Sequence, residues 1–240
     1  MGYQTELYRD WNDVYSEDAV WMEESSVIPT RPGMLKYVDQ NKDGRIDESD
    51  KVVLGSTLPP FVGGFTNTFG YKGFTLTVFF NWQLGGKIVN ANCSKLMQFA
   101  GVYNNSYSIL VDSYRGANPV LGDPGYTSAF YPTPSSYSAS QSISRQYSQN
   151  MIDKWVFDAS YLRLKSVSLT YDLPQKYSRK IGMEGLRIGI TGTNLWTLTS
   201  YPGYDPEMSS SMGTVKAKMG IDYGSYPLAK TVLLSIGLTF

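Results

Sequence analysis

The sequence has no histidine and only one cysteine, Cys93. Without histidine, Ser-His-Asp and Cys-His catalysis and every His-ligated zinc site are excluded together. A single cysteine excludes an internal disulfide framework. A surplus of charge is missing too: 21 Lys and Arg balance 21 Asp and Glu. Zero net charge argues against a nucleic-acid partner, which needs a basic surface. No apolar run approaches the roughly 20 residues of a membrane-spanning helix. The opening Met1-Gly2-Tyr3-Gln4-Thr5-Glu6 lacks the basic start and apolar core of a signal peptide. If the protein is exported, a segment ahead of Met1 is expected. The acidic residues include no pair positioned for glycoside hydrolysis, so no enzyme is expected.

Aromatic residues are plentiful: 14 % of the chain, with 19 tyrosines, although the mean hydropathy is only −0.26. That combination suits alternating strands whose ends lie at a membrane interface. A tyrosine-rich soluble β protein has the same composition.

One stretch carries a recognisable ligand pattern. Asp39, Asn41, Asp43, Asp47 and Asp50 place oxygen side chains at positions one, three, five, nine and twelve of an EF-hand-like loop. Arg45 offers its backbone carbonyl at position seven, and Gly44 permits the turn. Asp in place of Glu at position twelve shortens the reach to a calcium ion. The flanks argue against a sensor: Leu35-Lys36-Tyr37-Val38 reads as extended, and only Glu48 to Val53 can turn as a helix. Calcium here is expected as a structural staple; a metal-free Asx-rich turn has the same composition.

Five alternating segments follow, at about residues 61–71, 74–84, 159–171, 186–198 and 229–240. The first two form a hairpin closed by Lys72-Gly73. In the third, Leu162-Arg163-Leu164-Lys165 has the opposite polarity to Ser166 to Tyr171, which predicts a bulge or the edge of the apolar band near Lys165. Residues 1–60 read as an irregular loop region around the acidic loop 39–50. Residues 85–158 and 199–228 read as long loops, with short helices at 94–100 and 106–114 and a Ser/Tyr/Pro-rich stretch at 127–150. The connections alternate short and long, as in outer-membrane barrels with short periplasmic turns and long extracellular loops. By that parity the N-terminal region lies outside the cell and the C-terminus in the periplasm. Trp82 and Trp196 then fall near the outer interface, and Tyr71, Phe74, Tyr171 and Phe240 near the inner one. The fold class is all-β, a transmembrane antiparallel β-barrel wall. The alternative is a soluble, calcium-stabilised β-sandwich that binds glycans at the cell surface.

Several segments, in this order, carry a family resemblance. They are the acidic loop with Val53-Leu54-Gly55 and Pro59-Pro60-Phe61, then Tyr71-Lys72-Gly73-Phe74, Ser160 to Lys165 and Gly192-Thr193-Asn194-Leu195. Gly203-Tyr204-Asp205-Pro206-Glu207 and Asp222 to Pro227 complete the set. From Gly33 to Phe240 the chain resembles the C-terminal part of the SusC/RagA-like TonB-dependent outer-membrane transporters. The resemblance implies the last five strands of a 22-stranded barrel and import of oligosaccharides or peptides energised through TonB. It also implies a SusD-like surface lipoprotein as lid, and outer-membrane lipid around the wall. The family's plug and TonB-contacting segment have no counterpart here, so a fragment, split chain or excerpt is expected. Tyr204, Asp205, Glu207, Asp222 and Tyr226 are candidate loop or ligand contacts. Phe240 resembles the terminal aromatic that marks such strands for barrel assembly.

Overall fold

A computed structural model of the chain describes residues 1–16, 20–21, 32–96, 114–115, 125, 151–207, 220–224 and 226–240. The stretch 127–150 and most of the two helices expected at 94–100 and 106–114 lie outside the described residues. A helix is present at Ala91–Leu96. The chain divides into two units, one of Met1–Ser56, Val89–Phe157 and Ser211–Tyr223, the other of Thr57–Ile88, Asp158–Ser210 and Gly224–Phe240.

The second unit is built on five long strands: β1 (Phe61–Tyr71), β2 (Phe74–Leu84), β3 (Tyr161–Asp172), β4 (Gly185–Thr199) and β5 (Thr231–Thr239). They lie in the order β5-β4-β3-β2-β1, so every strand pairs antiparallel with its sequence neighbour. This up-and-down meander needs only chain reversals between strands. At Lys72-Gly73 the reversal takes two residues, with φ of 45° and 86°. Gly73 is required twice over. Its φ is left-handed, and a Cβ there would lie 2.8 Å from the Asp172 carbonyl oxygen.

Strand alternation gives the sheet two unlike faces. One rung runs Phe69, Leu76, Leu169, Ile190 and Leu234 across the five strands; the next runs Thr68, Thr77, Ser168, Thr191 and Leu233. On the polar face the hydroxyls pair across strands: Thr68 with Thr77 at 3.3 Å, and Ser168 with Thr191 at 2.9 Å. On the apolar face Phe69, Leu234 and Ile236 are 62 %, 75 % and 70 % exposed. Among the described residues of its own unit, no second sheet covers this face, as a sandwich would require. Each large side chain left in water forgoes roughly 1.5–3 kcal/mol of burial, so the face fits an apolar surrounding. Trp82 and Trp196 stand at one end of it. Tyr71, Phe74, Tyr171 and Phe240 stand at the other, where the Phe74 and Tyr171 rings lie 4.4 Å apart. These are called below the tryptophan end and the turn end.

The polarity inversion in β3 is a bulge. Phe79 pairs with Ser166 and Phe80 with Leu164, leaving Lys165 as the extra residue. One residue out of step exchanges the faces, so Arg163 and Tyr161 join Ser166 and Ser168 on the polar side. In β4 the same irregularity spans Asn194 and Leu195, with Asn194 at φ 52°. Leu195 folds over Gly192, where a Cβ would meet its side chain at 2.9 Å.

The first unit has its own small core, in which Tyr3, Leu7, Leu35, Tyr37, Ile46, Ile152 and Trp155 are buried. Thr5–Leu7 pairs antiparallel with Leu35–Tyr37, and Ile221–Asp222 runs parallel to Val89–Asn90. Residues 1–56 are therefore joined with parts of 89–157 rather than standing as a loop apart. The strands are four residues long or less, too short for periodicity to reveal them.

Candidate functional site

The densest polar constellation lies on the polar face of the second unit, at its tryptophan end. Arg163 of β3 is 2 % exposed and spends its guanidinium on three partners. Nε donates to Thr197 Oγ1 on β4 at 3.0 Å, Nη1 to Glu207 Oε2 at 2.5 Å, and Nη2 to Asp205 Oδ1 at 2.6 Å. The bulged Lys165 approaches the same Glu207 oxygen at 3.5 Å. The Arg163 guanidinium also stacks 5.1 Å above the Tyr161 ring, and the Tyr161 hydroxyl accepts from Asn81 Nδ2 on β2 at 3.2 Å. Two strands and one loop thus meet at one cation, and β2 is tied in through Tyr161. Charges this buried persist only when paired and hydrogen-bonded, a condition the fork of Arg163 meets.

The loop that supplies the acids is shaped by its own residues. Thr199 Oγ1 donates to the Ser160 carbonyl and accepts from the Tyr201 amide, which folds the chain back as β4 ends. Tyr201 is buried, and a Cβ at Gly203 would lie 2.4 Å from its ring, so only glycine passes beneath. Asp205 Oδ1 also accepts from the Glu207 amide at 2.9 Å, closing a tight turn. Of the loop's candidate contacts, Asp205 and Glu207 are engaged with Arg163, whereas Tyr204 is 73 % exposed. Sequence reasoning placed Asp205 and Glu207 among the contacts but not Arg163, Tyr161, Asn81 or Thr197. A lone Arg followed by Lys where strand polarity inverts was the available signal.

At the turn end of the same face Arg187 grips Asp172 with two bonds, of 2.5 and 3.0 Å. The charged residues of the five strands are Arg163, Lys165, Asp172 and Arg187, and all of them are paired. Between the two clusters this face presents mainly hydroxyls, with Phe79 and Leu233 among them.

The acidic loop belongs to the first unit. Asp39 accepts from the amides of Lys42 and Gly44, Asp43 from Arg45, and Asn41 from Asp43. Asp47 accepts from the Ser49 amide. Asp50, wholly buried, accepts from the Gln40 amide with one oxygen and from the Asp47 amide with the other. The loop is thereby folded by its own Asx turns and by a capping box on the short helix Glu48–Asp50. Among the described residues, no three Asp, Glu or Cys side chains are gathered as a metal centre needs. The donor order suits calcium, but the carboxylates stand apart as turn caps. Asp222 is buried in the same unit. Burial, together with the Asp222 charge, pushes the Cys93 thiol up to about 12, so it is neutral and inert at neutral pH. Tyr226 and Phe240, in the second unit, are 86 % and 80 % exposed.

No family model matches the chain. Over 212 residues, 87 % of its length, it is 30 % identical to TonB-dependent receptor P3 of Formosa agariphila, and covers 19 % of that protein. Along its whole length it is 25 % identical to TonB-dependent receptor SusC of Bacteroides thetaiotaomicron, covering 20 % of it. In structure it resembles the RagAB peptide importer in the closed-closed state, with a TM-score of 0.62, 22 % identity, and 87 % of this chain and 21 % of that one covered. These relatives are receptors and importers rather than enzymes. The chain spans about a fifth of the length of the relatives it matches. Over most of its length the chain is similar to TonB-dependent receptors, SusC among them, and its principal sheet is a lone two-faced meander.

Proposed function

We propose that this chain is a wall segment of an outer-membrane importer, working as part of a longer TonB-dependent transporter. The two-faced sheet carries the reading: an uncovered apolar face suits lipid, and a hydroxyl-lined face suits a water-filled lumen. Its outer strands β1 and β5 each pair on one side only within the sheet. Unpaired backbone groups are costly in lipid, so further strands must flank them. Five strands fall short of the about eight that close the smallest barrels. The cargo is an oligosaccharide or a peptide, and a SusD-like surface lipoprotein covers the extracellular side. Support for both is the likeness to SusC and to the RagAB importer.

Membrane fractionation of the native producer tests the reading. The protein should sediment with the outer membrane and migrate faster on gels unless boiled. Recovery in the soluble fraction, folded without detergent, would remove it in favour of the soluble glycan-binding sandwich. Calcium in the acidic loop is a proposal of its own. Each carboxylate oxygen keeps a second lone pair beside its backbone bond, and the donors follow the calcium-loop order. Binding must draw Asp39, Asp43 and Asp50 together, and protection of the loop from protease would report it.

A further inference from the structure

The apolar face is not smooth. At its tryptophan end an open cavity of about 610 Å³ lies between β2, β3 and β4, lined by Trp82, Leu84, Tyr161, Leu162 and Leu198 with Ser160, Thr199 and Ser200. Glycine creates it. Gly63 of β1 stands opposite Trp82, and a Cβ there would lie 2.6 Å from the Trp82 ring. The indole can therefore lie across Gly63, leaning over β1 and away from Leu162. Leu162 is left as a floor, with Leu198, 59 % exposed, beyond it and Leu84, 53 % exposed, at the strand end.

Two of the lining hydroxyls, those of Ser160 and Thr199, are already engaged. Thr199 Oγ1 donates to the Ser160 carbonyl at 2.8 Å, and Ser160 Oγ accepts from the Gly85 amide at 2.8 Å. No charged side chain lines the cavity. A guest gains little by hydrogen bonding and much by burying hydrocarbon, and the volume lies within the range of sites for small apolar ligands. The cavity is also continuous with the face that meets lipid. We infer that it is a discrete binding site for one acyl chain of a membrane lipid, held between Trp82 and Leu198 over Leu162. The inference rests on the reading of this face as lipid-facing.

The test uses the protein extracted from its membrane in detergent, with dibrominated phosphatidylcholine as quencher. The contribution of each tryptophan is taken as the difference from its Trp82→Phe or Trp196→Phe variant. Trp196 lies on the same face outside the cavity and reports the general lipid belt. Trp82 should be quenched saturably, at a lipid ratio about tenfold below that for Trp196. Unbrominated phospholipid should reverse the effect. In Gly63→Val the indole must leave β1 and close the cavity, so the saturable part should vanish while Trp196 quenching stays. Parallel quenching of both tryptophans, or a saturable part that survives Gly63→Val, overturns the site. Absence of quenching at either tryptophan in lipid excess would instead overturn the lipid-facing reading.

Discussion

Replacing Arg163 by Met removes the cation on which β3, β4 and the loop after β4 converge. Met keeps much of the stem volume, so the change isolates the guanidinium. Asp205, 3 % exposed, then keeps its turn bond from the Glu207 amide but loses its only ion-pair partner among the described residues. Leaving one partner of a buried pair without the other costs about 3–5 kcal/mol. Either the sheet is destabilised by that amount, or the loop leaves the wall so that Asp205 reaches water. Urea unfolding in detergent micelles, followed by tryptophan fluorescence, reads the first; amide exchange over residues 200–207 reads the second. Adding Asp205→Asn and Glu207→Gln to Arg163→Met removes the stranded charges and should restore most of the loss. The pair is buried, so raising ionic strength should not mimic the mutation. The reasoning is refuted if Arg163→Met costs under about 1 kcal/mol, within the range of an exposed pair, and the loop amides stay protected. Failure of the triple variant to recover would place the loss on the guanidinium's bond to Thr197 and its stacking on Tyr161 rather than on the ion pairs.

Other expectations follow from the same geometry. Gly73→Ala places a Cβ against the Asp172 carbonyl in a left-handed turn and should lower unfolding stability by about 1–2 kcal/mol, measured in the same urea titration. Cys93 should resist alkylation at pH 8 in the folded protein and react once urea unfolds it, given its burial and its thiol pushed up to about 12. Because that folded value lies above the ordinary thiol value of about 8.5, the folded state keeps a proton the unfolded chain releases. Stability from this group is full below that pH and declines as pH rises towards 12, which a pH series of urea midpoints would detect. Calcium should slow proteolysis within residues 39–50 without changing strand content, and Asp43→Ala should abolish the effect. Equal cleavage of both proteins with and without calcium would remove the metal.

What the sequence determined by itself was local. Alternation of Phe74, Leu76, Val78, Phe80 and Trp82 against their polar neighbours specifies a strand whose two sides meet different media. The same rule located the ends of β1 and β2 and, through inverted polarity, the bulge at Lys165. Period-two patterning states which face a residue takes, but not which distant residue it meets there. The pairing of Arg163 with Asp205 and Glu207, the lean of Trp82 over Gly63, and the joining of Tyr3 to Ile152 are contacts between parts far apart in the chain. Only tertiary structure decided them. The acidic loop shows the same division: donor order was legible from spacing, whereas the orientation of its carboxylates, as caps on backbone amides, depended on φ values of 60° at Lys42 and 79° at Gly44. Spacing along a chain fixes which groups can converge; whether they do depends on dihedral angles and long-range packing that composition does not encode.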